Sequence, residues 1–301
     1  MVKGNYFVPL MGGKSLFKNI VVPVSSEYYS KQVVYRSIQL AEYFKSTVTL
    51  LYIIEEKTID QTERLTDSHR AYYDRLETQQ ELMRKQQLTA TQIVFDFASH
   101  LFAQKGITFH HFIEYGEFSD VVLDEIKRKN YDFVIMGYEK ECMLHYRLLD
   151  ELTVPIWVEI QKSHEPRILG ICTNLAPNQY APTISKEISK ALDWELLLYY
   201  IMDSRDPVTV DFEGVRSKEK LLDDLDKERQ KFIEKIKMEH INIETVVGGL
   251  EKEIMRKARK YDPTLIIIGR EQKRRGALGL PYGNIKRKLM QKCKYSLLFI
   301  N

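Results

Sequence analysis

The sequence predicts an α/β protein made of two tandem, doubly wound domains, each a five-stranded parallel sheet covered by helices. Three observations predict it. Short runs of Val, Ile and Leu alternate with helical patterns, the runs are too continuous to leave one face wet, and the same order of five runs occurs twice in 301 residues. The length agrees, since domains of about 150 residues make two cores the prior.

In the first half the β-type runs are Asn19 to Val24, Thr47 to Ile54, Ile107 to Tyr115, Tyr131 to Gly137 and Val154 to Ile160. Helical periodicity fills the gaps: Val34, Ile38 and Ala41 share one face, Ala90, Val94, Phe97 and Leu101 a second, and Val122 with Ile126 a third. Strand and helix therefore alternate, with connections long enough for right-handed crossovers. The second half repeats the order at Arg167 to Thr173, Trp194 to Ile201, Ile241 to Val247, Thr264 to Gly269 and Tyr295 to Ile300. The first strands lie 148 residues apart (Ile20 to Ile168), the glycines ending the fourth strands 132 (Gly137 to Gly269). The first half thus carries about sixteen extra residues before its third strand, in the polar helical stretch 58–87. A solvated face is the default for such a stretch, a surface for an unknown protein partner the alternative. The polar segment Gln161 to Arg167 separates the domains, giving 1–162 and 163–301.

Bulk composition narrows the function classes. Hydrophobic residues at 44% with 29% charged fit a packed soluble protein, and a net charge of +3 makes no general case for nucleic acid or a membrane surface. No run of about 18 apolar residues could span a bilayer, and the opening residues lack the apolar core of a signal peptide. Cys142, Cys172 and Cys293 are odd in number and widely spaced, which fits a reducing cytoplasm better than a disulfide framework. Cys172 and Cys293 read as small buried side chains. His110 and His111 are adjacent in a strand, so they point to opposite faces and cannot grip one metal ion.

The stretch from Lys18 to Glu56 resembles the opening β-α-β unit of the universal stress protein family, and Gly116 to Gly137 resembles its third helix and fourth strand. Gly248 to Gly269, with the glycine loop after it, is similar to the same region in a second copy. The resemblance implies a strand order of 3-2-1-4-5 in each copy. It also implies a pseudo-dimer in which the copies pair through Val154 to Ile160 and Tyr295 to Ile300; whether two such chains associate further as a homodimer stays open at this point.

The family's nucleotide loop follows the fourth strand as G-x-x-G, nine residues, then G-S or G-T. Glycines let the backbone approach phosphate oxygens, and the last pair opens a helix whose free N–H groups favour negative charge. Here Gly269 ends the strand and Gly283 precedes a helix expected over Ile285 to Lys292. Gln272 replaces the second glycine, the spacing is one residue longer, and Asn284 stands where the hydroxyl belongs. Asn is a good N-cap, so capping and phosphate contact both stay open for Asn284. Gly276 and Gly279 restore flexibility, while Arg270, Lys273, Arg274 and Arg275 add charge. The family's acidic residue after the first strand is replaced by Ser25 and Thr173, which lose a charge-assisted contact. The first copy has no glycine between Gly137 and its fifth strand, so no nucleotide is expected there.

By resemblance, then, the second copy is expected to hold ATP, AMP or another phosphate ligand. Gly269, Gly279, Gly283 and Asn284 would meet phosphate, Arg270 would neutralise charge, and Thr173 with Asn174 would face the nucleoside. The competing reading is a degenerate scaffold that binds no nucleotide. Neither reading needs catalysis: no general base or metal ligand set is identifiable, although slow ATP hydrolysis is compatible with the family. Gly12 to Ser15 lacks the preceding glycine, strand and following helix of a phosphate loop. The basic C-terminal run has only Tyr282 as an interleaved aromatic, which disfavours single-stranded nucleic acid. Trp157 and Trp194 are expected in strands, as packing residues.

Overall fold

In the structure, a computed structural model, residues 16–25, 30–55, 81, 83–85, 87–88, 90–138, 146–160, 165–178, 180–211, 215–269 and 285–300 are described. Gly12 to Ser15, Cys142 and most of the 58–87 stretch lie outside them. The chain divides into two compact units, Phe17–Leu152 and a second from Thr153 onward.

The first unit holds β1 (Asn19–Val24), α1 (Lys31–Phe44), β2 (Thr47–Ile54), a π-helical turn (Ala90–Phe95) leading into α2 (Asp96–Gln104), β3 (Phe109–Tyr115), α3 (Phe118–Arg128), β4 (Phe133–Tyr138) and α4 (Tyr146–Glu151). Its strands pair in the order β3-β2-β1-β4, and all three pairings are parallel. β1 and β4 are buried along nearly their whole length because helices cover both faces, as their continuous apolar runs require. β3 is the edge strand and stays half exposed; His110 and His111 are both open to solvent.

The second unit holds β5 (Ile156–Ile160), β6 (Glu165–Thr173), α5 (Ala181–Leu192), β7 (Glu195–Met202), α6 (Leu222–Met238), β8 (Ile243–Val247), α7 (Leu250–Tyr261), β9 (Pro263–Gly269), α8 (Ile285–Lys292) and β10 (Ser296–Ile300). Its order is β5-β10-β9-β6-β7-β8, so β6 to β10 reproduce 3-2-1-4-5. β5 and β10 run antiparallel, with Trp157 opposite Leu298, which is the pairing of fifth strands that the resemblance implied. Trp157 is fully buried in β5, whereas Trp194 precedes β7 instead of lying in it.

The internal repeat extends to register and caps. β1 meets β2 through Asn19 and Thr47, and β6 meets β7 through Arg167 and Glu195, a separation of 28 residues in both. β2 meets β3 at a separation of 61 (Val48 to Phe109), while β7 meets β8 at 45 (Leu198 to Ile243). The sixteen extra residues therefore fall between the second and third strands. Helices α1 and α5 both end on a left-handed residue, Lys45 and Asp193, 148 positions apart. α1 starts on Ser30, whose hydroxyl accepts from the Gln32 N–H. Cys172 and Cys293 are buried, and burial pushes their thiols up to about 12 and about 11. No described helix is long and apolar enough to cross a membrane.

Candidate functional site

In an open α/β sheet the crevice for a ligand lies beyond the carboxyl ends of the strands, where the chain leaves neighbouring strands in opposite directions. In the second unit that point is between β6 and β9, since β6 leads through α5 to β7 on its other side. Thr173 ends β6 and Gly269 ends β9. The loop after β6 crosses between them. A side chain at Gly269 would begin 3.3 Å from Ala176 Cβ and 3.6 Å from the Pro177 carbonyl, so glycine is what lets this loop close onto β9.

The loop is held from within. The Asn178 carboxamide grips the Thr173 backbone twice: its oxygen accepts from the N–H at 2.9 Å and its nitrogen donates to the carbonyl at 2.8 Å. The Thr173 hydroxyl accepts from the Leu175 N–H at 3.4 Å. Asn174 faces the other way, toward β7. Its Oδ1 accepts from the Asp203 N–H at 2.8 Å, and its Nδ2 donates to the carbonyls of Val208 (2.9 Å), Asp206 (3.0 Å) and Asp203 (3.4 Å). Both amide protons are thereby engaged. Thr173, Asn174, Asp203 and Val208 are all buried, so the two residues expected to face a nucleoside are covered by the chain itself.

Asp203, which the sequence analysis did not single out, is the charged centre of this edge. Its carboxylate accepts from Arg205 Nη2 (2.7 Å), Nε (3.0 Å) and backbone N–H (3.1 Å), and from the Leu250 N–H at the start of α7 (3.0 Å). Gly249, the N-cap of α7, has no side chain to supply that acceptor, so Asp203 satisfies one of the helix's orphan donors. Burial alone would raise the carboxyl, but the bonds from Arg205 and Leu250 together outweigh it and hold it below the usual carboxylate range. The repeat was a usable signal for it: Glu55 follows β2 at the position 148 residues earlier and is also buried. The same backbone bond accompanies each acid, from Gly116 N–H to the Ile54 carbonyl and from Gly248 N–H to the Met202 carbonyl.

Of the residues assigned to phosphate, Gly269 is described, whereas Arg270, Gly279, Gly283 and Asn284 lie outside the described residues. The helix expected after the loop is present as α8 over the predicted span. Its basic face is partly neutralised, since Lys292 and Lys288 pair with Glu251 of α7 at 2.6 and 3.2 Å. Those bonds, Lys292 first, hold the Glu251 carboxyl below its ordinary value. In the first unit Ser25 follows β1 and is buried, and β4 continues through Gly137 to Tyr138. Among the described residues, no group of three His, Cys, Asp or Glu side chains is placed to hold a metal ion.

The family model described as the universal stress protein family matches residues 16–151 and again 175–301. This chain belongs to the universal stress protein family. Two matched spans make it a tandem, two-copy member. Among solved structures, a functionally unknown protein from Pseudomonas aeruginosa PAO1 superposes with a TM-score of 0.63 at 13% identity, over 94% of this chain and 92% of that one. A universal stress protein from Archaeoglobus fulgidus DSM 4304 gives 0.59 at 15% identity, over 98% and 97%. At such identities the likeness speaks for the shared fold. No curated protein matches the chain.

Proposed function

We propose that this tandem universal stress protein is non-catalytic and that its second copy takes an adenine nucleotide, or another phosphate ligand, at the carboxyl edge of β6 and β9. The observation that carries this reading is the position of Gly269 at the carboxyl end of β9, next to β6 at the point where the chain leaves the two strands in opposite directions, with the basic helix α8 later in the chain. In this proposal the phosphates lie along Gly269, Gly279, Gly283 and Asn284, with Arg270 offsetting their charge. Thr173 contributes a hydroxyl on the nucleoside side. Asn174 acts there by shaping the wall, because its carboxamide is already bonded to the 203–208 backbone. Occupancy would bias the surface that a protein partner reads.

A second reading has its own observation. The covering of Thr173 and Asn174 favours a scaffold that acts through protein contacts and binds no nucleotide. Equilibrium dialysis with labelled ATP, on the intact protein and on Gly283→Asp, separates the two. Retention by the intact protein and loss in the variant is expected. Equal retention by both would dispose of the loop assignment, and none by either would favour the scaffold.

A further inference from the structure

Residues 203–211 and 215–221 form a strap between β7 and α6 that is ordered by its own bonds. Thr209 and Ser217 bond twice across it, from Thr209 N–H to Ser217 Oγ at 3.0 Å and from Ser217 N–H to the Thr209 carbonyl at 2.9 Å. Lys220 N–H donates to the Pro207 carbonyl at 2.8 Å, and Arg216 pairs with Asp206. One side chain from outside the strap reads three of its carbonyls and one N–H, and that side chain is Asn174. Val208 is buried beside it.

From this we infer that the strap and a nucleoside compete for one place: Asn174 latches the strap over the carboxyl end of β6, and the second copy admits a nucleoside only when the latch opens. The chemistry of the latch favours such competition. Toward Asp203 the carboxamide presents an acceptor beside a donor, the same pair that an adenine edge offers through its ring nitrogen and amino group. A base entering here would find the Asp203 N–H and carbonyl already bonded, and Thr173 covered. The open form is then the competent minor state, and the apparent affinity for nucleoside is the intrinsic one scaled by its population.

The inference rests on the proposed site but not on its phosphate loop, so adenosine, which carries no phosphate, is the probe. Backbone hydrogen exchange and retention of labelled adenosine are measured on the intact protein, on Asn174→Ala and on Arg216→Gln. The second variant loosens the strap at its Asp206 pair while keeping Asn174. Both variants are expected to exchange strap amides about tenfold faster with β6 and β9 still protected, and to retain adenosine about tenfold more tightly, because the competent fraction rises. If Asn174→Ala also loses protection in β6 and β9, Arg216→Gln decides alone. Unchanged strap exchange in Asn174→Ala with an intact sheet overturns the latch. A loosened strap without any gain in adenosine retention, including no retention by any of the three proteins, overturns the competition. Failure of Gly283→Asp to alter ATP retention would touch the loop assignment and leave this result standing.

Discussion

Replacing Asp203 by Asn is a test of how the carboxyl edge of the second unit is held. The carboxylate has two bonds on each oxygen: Oδ1 accepts the Arg205 N–H and Nε, and Oδ2 accepts Arg205 Nη2 and the Leu250 N–H. An Asn side chain can keep only one of these oxygens. In either orientation its NH₂ group faces two donors, so two of the four bonds are lost and replaced by donor-to-donor contact. A buried donor left without its acceptor costs about 1–3 kcal/mol. The guanidinium half is worth less, about 0.5–1 kcal/mol, because the Arg205 side chain is 71% exposed and the pair is screened. Together the substitution is expected to cost about 2–3 kcal/mol at pH 7 and to lower the urea midpoint by about 1 M at a typical slope of about 2 kcal/mol per M. Both tryptophans, Trp157 and Trp194, lie beyond Thr153, so tryptophan fluorescence reports this unit alone.

The pH dependence has a definite sign. The folded carboxyl lies below its ordinary value of 3.8, so its contribution is present above that value and is lost as pH falls through the folded pKa. The gap between the two proteins should therefore narrow below about pH 4, because a protonated Asp also presents a donor to its neighbours. A variant within 0.5 kcal/mol of the parent at pH 7, or a gap that stays constant down to pH 2, would refute the reasoning.

Two further outcomes follow from packing. Gly170→Val places Cβ 2.5 Å from Leu198 Cδ2 and 2.8 Å from Ser185 Oγ, so despite its higher strand propensity valine should destabilise the second unit by about 2–3 kcal/mol in the same urea assay. At the matching place in the first unit Val22 is fully buried, and Val22→Gly should cost a similar amount, about 2 kcal/mol, by leaving a void, read by far-ultraviolet circular dichroism in urea because the tryptophans report the second unit. With Cys142→Ser removing the third thiol, Cys172 and Cys293 should stay unlabelled by a disulfide reagent in native protein at pH 8 and both react once it is unfolded, since burial raises both thiols. Because those folded values lie above the unfolded one, the stability tied to them is present below about pH 8.5 and declines as pH rises toward 11–12. Rapid labelling of either thiol in the folded chain would contradict their burial.

Which parts of this protein were legible in its sequence depends on how far apart the deciding residues lie. β1 and β2 begin and end at the residues where their apolar runs do, because alternation and burial on both faces are written within a few neighbouring positions. The extra sixteen residues were countable from the offset between the copies, and the strand registers put them between the second and third strands. Edge positions were less legible. Ile107 and Thr108 read as strand but precede β3, and Ile241 and Asn242 precede β8, since an edge strand pairs on one side only and lengthens or shortens with its single partner.

By itself, then, the sequence determined two copies of one strand-and-helix order, with a glycine at the end of β9 and a basic helix after it. The tertiary structure decided what surrounds Thr173. Asn174 bonds residues 29 to 34 positions away, and Asp203 bonds Leu250 at a distance of 47. A hydrogen bond of that span has no local period to announce it; it exists only where the folded sheet brings the ends of β6 and β7 and the start of α7 to one edge.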